Sequence, residues 1–244
     1  MRENETILCG DLINKINVPK VNLQSISNTK IITDINKPTK VEMWQSFKYH
    51  FKILYGKDLI IDSQFKENIK ALFLYFLEDK GFFECKNLRG DLSIPSFDKG
   101  LLVIGSYGIG KTAFFKVFES MFKHYYPLRF TTYSSKELKR RFETFQTPCD
   151  KENFYKEMER KRMFIDDLSA EKNASNYGLT DVVGEVLSLR YEKNLTTFAT
   201  CNYLNNDNCV RQALIELGVR YEERIYDRLF EMFNIIEFKG LSLR

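Results

Sequence analysis

Hydrophobic and polar positions change rhythm twice along the chain. Over residues 1–40 no period is sustained. Asn, Lys, Ile and Ser dominate, Pro19 and Pro38 punctuate, and only short runs such as KIITDI have strand character. That texture predicts an N-terminal arm. From Val41 the apolar residues take helical spacing: in SQFKENIKALFLYFLEDKGF, Phe65, Ile69, Leu72, Phe73 and Phe76 fall on one helical face. Residues 41–82 are expected to form a helical pair, within a small, mainly helical N-terminal region spanning 41–95. ECKNLRGDLSIPSFDKG, with Gly90 and Pro95, reads as its connector.

From Lys99 onward short apolar runs alternate with amphipathic ones. Strands are predicted at 101–105, 128–133, 162–166, 195–201 and 234–238. Helices are predicted at 110–123, 135–145, 151–160, 180–192, 208–217 and 219–233. This alternation implies an α/β fold in which a parallel sheet is covered by helices on both faces. Residues 96–244 are expected to form that domain.

One strand–helix junction carries chemistry. Gly105-Ser106-Tyr107-Gly108-Ile109-Gly110-Lys111-Thr112 matches the pattern G-x-x-x-x-G-K-[ST]. Its glycines allow successive backbone N–H groups to point at one anion, and the helix opening at Gly110 adds the positive end of its dipole. Lys111 is placed to reach the β- and γ-phosphates of a nucleotide, and Thr112 to offer a hydroxyl to Mg²⁺. The flanks LLVI and KTAFFKVFESMF supply the strand and helix that the motif requires.

A second junction complements it. RMFIDDL ends an apolar strand in Asp166 and Asp167. Two adjacent carboxylates repel, which is a poor choice for stability alone. Beside a phosphate loop, the first can hold the magnesium shell and the second can orient or activate water. Glu171 reads as a weaker addition or as a cap of the next helix.

Composition narrows the field without redirecting it. The chain has 244 residues, 43% of them apolar and 29% charged, with a formal net charge of +4. That charge permits an anionic partner and does not demand one. Five scattered cysteines form no C-x-x-C pair, and only His50 and His124 stand beside them, so a structural zinc site is not expected. The longest strongly apolar run, ALFLYFL, is too short to cross a bilayer, and MRENETILCGDL lacks a signal-peptide core. A cytoplasmic protein with no membrane partner is expected.

Taken in order, GLLVIGSYGIGKT, RMFIDDLSAE, LSLRYEKNLTTFATCN and RIYDRLFEMFNIIEFKGLSLR resemble the DnaC/IstB-like branch of AAA+ ATPases over roughly residues 99–244. This branch holds replicative helicase loaders and transposition helpers. The resemblance implies an AAA+ P-loop NTPase core that binds and hydrolyses ATP with Mg²⁺ and assembles into a nucleotide-dependent homo-oligomer. The implied partner is a replicative helicase, with a transposase as the alternative, and single-stranded DNA is the implied ligand; a nucleotide-dependent DNA-binding scaffold with little hydrolysis is the remaining reading. Lys111 and Thr112 look like the Walker A pair, Asp166 like the Walker B magnesium residue, and Asp167 like the catalytic acid. Asn202 looks like sensor 1, Arg228 like an arginine finger offered to the next subunit, with Arg224 on the same face, and Arg244 like sensor 2. Residues 1–95 lie outside the resemblance, and the cysteine-rich zinc module of some loaders has no counterpart here.

The densest basic stretch is SSKELKRRF. On a helix Lys136, Lys139 and Arg140 share a face, with Arg141 beside them. These four are the candidate DNA contacts, and a solvated helix face is the competing reading. In the related loaders this region faces the ring interior. Tyr125, Tyr126 and Tyr133 are candidates for stacking on bases, against core packing.

Overall fold

Phenylalanine packing and strand ends account for most of the architecture. The computed structural model describes residues 38–171, 173–175, 179–203, 209–221 and 223–242, so the predicted arm lies almost wholly outside the described residues. The N-terminal helices are α1 (Lys40–Tyr55) and α2 (Ser63–Phe76), followed by a 3₁₀ turn (Lys80–Glu84). Thr39 and Glu42 form a reciprocal capping box that starts α1, and Gly56, at φ 65°, stops it. Asp62 caps α2 through the N–H of Phe65.

The α/β part follows as β1 (Gly100–Gly105), α3 (Lys111–Phe122), β2 (Thr131–Ser134), α4 (Ser135–Glu143), α5 (Pro148–Met158), β3 (Arg162–Leu168), β4 (Ala174–Ser175), β5 (Leu179–Thr180), α6 (Val182–Glu192), β6 (Thr196–Asn202), α7 (Val210–Tyr221), α8 (Glu223–Met232) and β7 (Phe233–Phe238). Five strands pair in the order β2-β3-β6-β1-β7, all parallel, while β4 and β5 form a small antiparallel ribbon. The expected parallel sheet between helical layers is therefore present.

Two boundaries moved for identifiable reasons. The helix expected at 151–160 begins at Pro148, because Thr147 caps it, Pro148 suits its first turn, and Asp150 closes a capping box. The strand expected at 128–133 pairs only from Thr131, since the preceding residues turn on the N–H groups of Leu128 and Arg129 bonding to the Tyr125 carbonyl.

Alternation along β1 sorts the core into two layers. Leu101 and Val103 face one side with Phe164, Phe198 and Ile236, against α1, α2 and α3. Leu102 and Ile104 face the other with Met163, Ile165 and Ala199, against α4 through α8. On the first side aromatic rings touch throughout: Phe115 stacks on Phe164 at 4.3 Å, and Phe47 of α1 meets Phe118 of α3 at 5.2 Å. The N-terminal helices thus share the sheet's own core. Gly100 lets β1 approach β6, since a Cβ there would lie 1.7 Å from the Thr197 carbonyl oxygen.

Two buried polar side chains tie the layers. Asn234 accepts from the Ser96 N–H at 2.9 Å and donates to the Ser96, Lys99 and Gly100 carbonyls, pinning the connector to β7. Arg190 of α6 has no exposed surface. Its guanidinium donates to Thr197 Oγ1 and to the Met158, Arg160 and Thr196 carbonyls at 2.6–2.9 Å. Burial lowers its pKa to about 10, still far above neutrality. Arg190→Met takes this donor from the Met158, Arg160 and Thr196 carbonyls, one bond buried and two part-buried, at about 1 kcal/mol each. The variant should lose about 3 kcal/mol of stability in urea titration; a loss well under 1 kcal/mol would show that water replaces the guanidinium.

Candidate active site

The carboxyl ends of β1, β6 and β3 lie side by side. Gly105 is in register with Asn202, and Cys201 with Leu168. β1 is buried along its whole length and delivers the glycine loop to this edge. Gly108 and Gly110 both take left-handed angles, φ 78° and 91°, which side chains resist. Gly108 has a second reason to be glycine: a Cβ there would lie 2.3 Å from Ser242 Oγ, so the segment after β7 runs against the loop. That segment is held by Asn68 of α2, whose amide brackets the Lys239 backbone. Gly110 supplies no capping side chain to α3, and the helix's positive end lines a cleft of about 460 Å³.

Lys111 is buried, and its ammonium donates to the Gly105 and Ser106 carbonyls at 2.7 and 2.8 Å and to Asn202 Oδ1 at 2.8 Å. Asn202 Nδ2 in turn donates to Asp167 Oδ1. One amide therefore joins the loop's cation to the carboxylate across the cleft. Asp166 Oδ1 accepts from two hydroxyls, Thr112 Oγ1 at 2.8 Å and Thr200 Oγ1 at 2.6 Å.

Asp167 sits at φ 60°, where β3 breaks register between Ile165 and Leu168. The strand predicted to end at 166 runs on through this irregularity to Leu168. Left-handed geometry costs a non-glycine residue roughly 1–3 kcal/mol and persists only under surrounding constraint. The constraint is visible: the Asp167 N–H donates to Thr200 Oγ1 at 2.9 Å, and its carbonyl accepts from buried Ser135 Oγ at 2.7 Å. Burial raises the Asp167 carboxyl above its ordinary value, and the neighbouring Asp166 charge adds to this. Lys111, Lys136 and the Asn202 amide oppose it.

Sequence reasoning missed five contributors. Thr200 had a signal, since it lies two residues before Asn202 and so on the same side of β6. Ser135 had none, because its partner is a backbone carbonyl 32 residues away. Phe51, Tyr55 and Lys57, from α1 and the turn after it, wall the cleft opposite the loop.

Thr112 and Asp166 fit a magnesium ion: a hydroxyl and a carboxylate, both hard oxygen donors, meet at 2.8 Å. The loop residues Tyr107 to Thr112, with Asp166, Asp167 and Asn202, line one cleft. Arg228 and Arg224 do not line it. They border a separate cleft of about 500 Å³ on α6 and α8, where Arg228 donates to Ser188 Oγ at 3.0 Å and lies over the Tyr191 ring. Arg244 lies outside the described residues.

The basic helix corrects part of the reading made from spacing. Lys136 and Arg140 are exposed, and Lys139 pairs with Glu143 at 3.4 Å. Arg141 is occupied: it bonds Glu157 at 2.5 Å and packs over the Tyr133 and Phe154 rings, so it anchors α4 to α5 instead of facing an open strand. Tyr125 and Tyr133 are buried and cannot stack on a base; Tyr126 is exposed. Among the described residues Glu171 caps no helix. It is buried against Tyr221 and Arg220, and Asp181 caps α6.

Among the described residues, no helix is long and apolar enough to cross a membrane. No protein-family model matches the chain, and no curated protein matches it. Among solved structures it is similar to the crystal structure of the DnaC helicase loader, at 18% identity over 79% of this chain and 99% of that one, TM-score 0.52. It is also similar to a candidate primosome component from Streptococcus pyogenes serotype M3, at 17% identity over 75% and 84%, TM-score 0.50. At such identities the likeness is one of fold, and the chain has a DnaC-like AAA+ fold.

The geometry at Asp167 sets a stability expectation. Its folded carboxyl titrates above the unfolded one, so the proton is bound more tightly in the fold. Its contribution is fully present in acid and is lost as pH rises from the ordinary carboxyl value through the folded one. Asp167→Asn removes that loss and suits the left-handed backbone. In metal-free buffer at pH 7 this variant should unfold at higher urea than the wild type, with the gap closing toward pH 4. Equal midpoints at pH 7 would show that the carboxylate carries no penalty.

Proposed function

We propose that the chain is an ATP-dependent DNA replication protein of helicase-loader type, binding and hydrolysing ATP at a subunit interface and engaging single-stranded DNA. The observation that carries this is the joined set Lys111–Asn202–Asp167 beside Thr112–Asp166 in one cleft at the carboxyl edge of the sheet. The loader assignment is supported by the fold shared with a protein described as the DnaC helicase loader, and it makes a replicative helicase the partner. Residues 96–244 form the ATPase domain in this reading, and the first 95 residues offer the surface that meets the helicase.

Chemically, the loop amides and Lys111 hold the β- and γ-phosphates, the lysine exchanging two carbonyl partners for phosphate oxygens. Thr112 and Asp166 would hold a magnesium ion, which would supply neutralising charge for the phosphates. Asp167 accepts a hydrogen bond from the attacking water, and Asn202 keeps that carboxylate aimed. The raised affinity of Asp167 for a proton suits a group that takes one up during attack. Arg228, remote from its own loop, is presented to the nucleotide of the next copy.

Lys111→Ala should fold normally and lose ATP binding by equilibrium titration, while Asp167→Asn should bind ATP and turn over about a hundredfold slower or worse. Retained ATP affinity in Lys111→Ala would remove the phosphate-loop assignment. Capture of a transposase in place of a helicase by the ATP-bound chain would move the protein to the transposition-helper reading.

Assembly is tested by mixing. Arg228→Ala should bind ATP yet lose concentration-dependent hydrolysis, since a trans arginine is worth roughly 10³–10⁵ in rate. Adding Lys111→Ala, which keeps its finger, should restore part of the activity. Full activity of Arg228→Ala at a concentration where the wild type is monomeric would rule the finger out.

A further inference from the structure

We propose that a groove along the exposed edge of β2 binds single-stranded nucleic acid, at a site separate from the basic face of α4. The groove holds about 1240 Å³ and is walled by α3, the turn before β2 and the start of β3. It is larger than the phosphate cleft, and β2 is the outermost strand on that side of the sheet.

Its charge is unbalanced. Six lysines and arginines line it against three acids. Among the described residues Lys116, Lys123, Arg129, Lys161 and Arg162 make no ion pair, and all but Arg162 are exposed. Two of the acids are already engaged: Glu119 accepts from the Thr132 N–H and hydroxyl with one oxygen each, and Asp166 from Thr112 and Thr200. Cations drawn from three separate segments of chain converge on one concavity that holds half as many carboxylates, which leaves it with a net positive charge. A solvated surface would spread such charges; a concave one focuses their potential on an anion.

One aromatic side chain completes the set. Tyr126 is 72% exposed, with the Arg129 guanidinium over its ring at 5.4 Å. This is a flat aromatic and cationic platform of the kind on which a nucleobase stacks. It selects a single strand, because a duplex hides its base faces. The groove also reaches the phosphate cleft, since Lys116 and Asp166 line both. A strand lying in it ends beside the nucleotide, which makes its grip responsive to the nucleotide's charge. The inference rests on the reading that the chain engages single-stranded DNA, and it assigns that contact to new residues.

The test uses the full chain and a fluorescent oligothymidylate of about 20 nucleotides, longer than the ~4–16 a single-strand site spans. Binding is followed by anisotropy across a salt series. Lys123→Gln, Arg129→Gln and Lys161→Gln combined should flatten the log–log salt slope by about 2, at roughly 0.7 per phosphate contact. Tyr126→Ala should weaken binding about fivefold or more with the slope unchanged. ATP affinity should stay at the wild-type value in both, because none of these residues lines the phosphate cleft. Lys136→Gln with Arg140→Gln is the comparison. If the wild type binds no oligonucleotide, the single-strand reading and the groove fall together. If it binds and only the Lys136 and Arg140 variant loses affinity, the groove is overturned while the reading stands. Equal effects of Tyr126→Ala on single strand and duplex would also overturn it.

Discussion

Parallel pairing of β3, β6 and β1 is the constraint on which the site depends. Because the three strands run the same way, their carboxyl ends emerge together, and whatever follows each strand is delivered to one edge. Lys111 and Asn202 are 91 residues apart, and Asn202 and Asp167 are 35 apart, yet they form one chain of hydrogen bonds. Asn202 is the joint: its carbonyl takes the lysine and its amide takes the carboxylate, so cation and anion are held apart and aimed at the same space. Without it, the ammonium and the two aspartates would be drawn toward direct contact.

The phosphate loop is also braced from outside the α/β layers. α3 carries Lys111 and Thr112 on its first turn and buries phenylalanines on two sides. Phe115 meets the sheet, while Phe114 and Phe118 meet α1. Asn68 of α2 holds the segment that runs against Gly108, and Tyr55 of α1 lines the cleft. A shift of the N-terminal helices therefore acts on the loop through packed rings and a bracketed backbone.

Cations in this chain divide by environment, and net charge does not show the division. Arg190 is spent on carbonyls, Arg141 on Glu157, and Lys111 on the loop. Those on the β2 edge face a groove with few anions. A formal charge of +4 is compatible with any of these placements.

The sheet, its helical covering and the phosphate loop were legible in the order of residues, because each rests on local rules: alternation, helical period, and glycines where left-handed angles are required. Asp166 and Asp167 were legible as a pair for the same reason, since like charges at a strand end need an external explanation. Helical spacing puts Lys136, Lys139 and Arg140 on one face with Arg141 beside them, and only packing separates exposed Lys136 and Arg140 from Arg141, whose partner sits on α5. Tyr133, a stacking candidate by sequence, is buried beneath that arginine. Ser135 and the groove beside β2 were decided by tertiary structure alone, because each depends on which distant segments the strand order makes neighbours. Local pattern dictates what a segment can become; the sheet's topology dictates whose side chains it meets, and hydrogen bonds and charge act only between groups that meet.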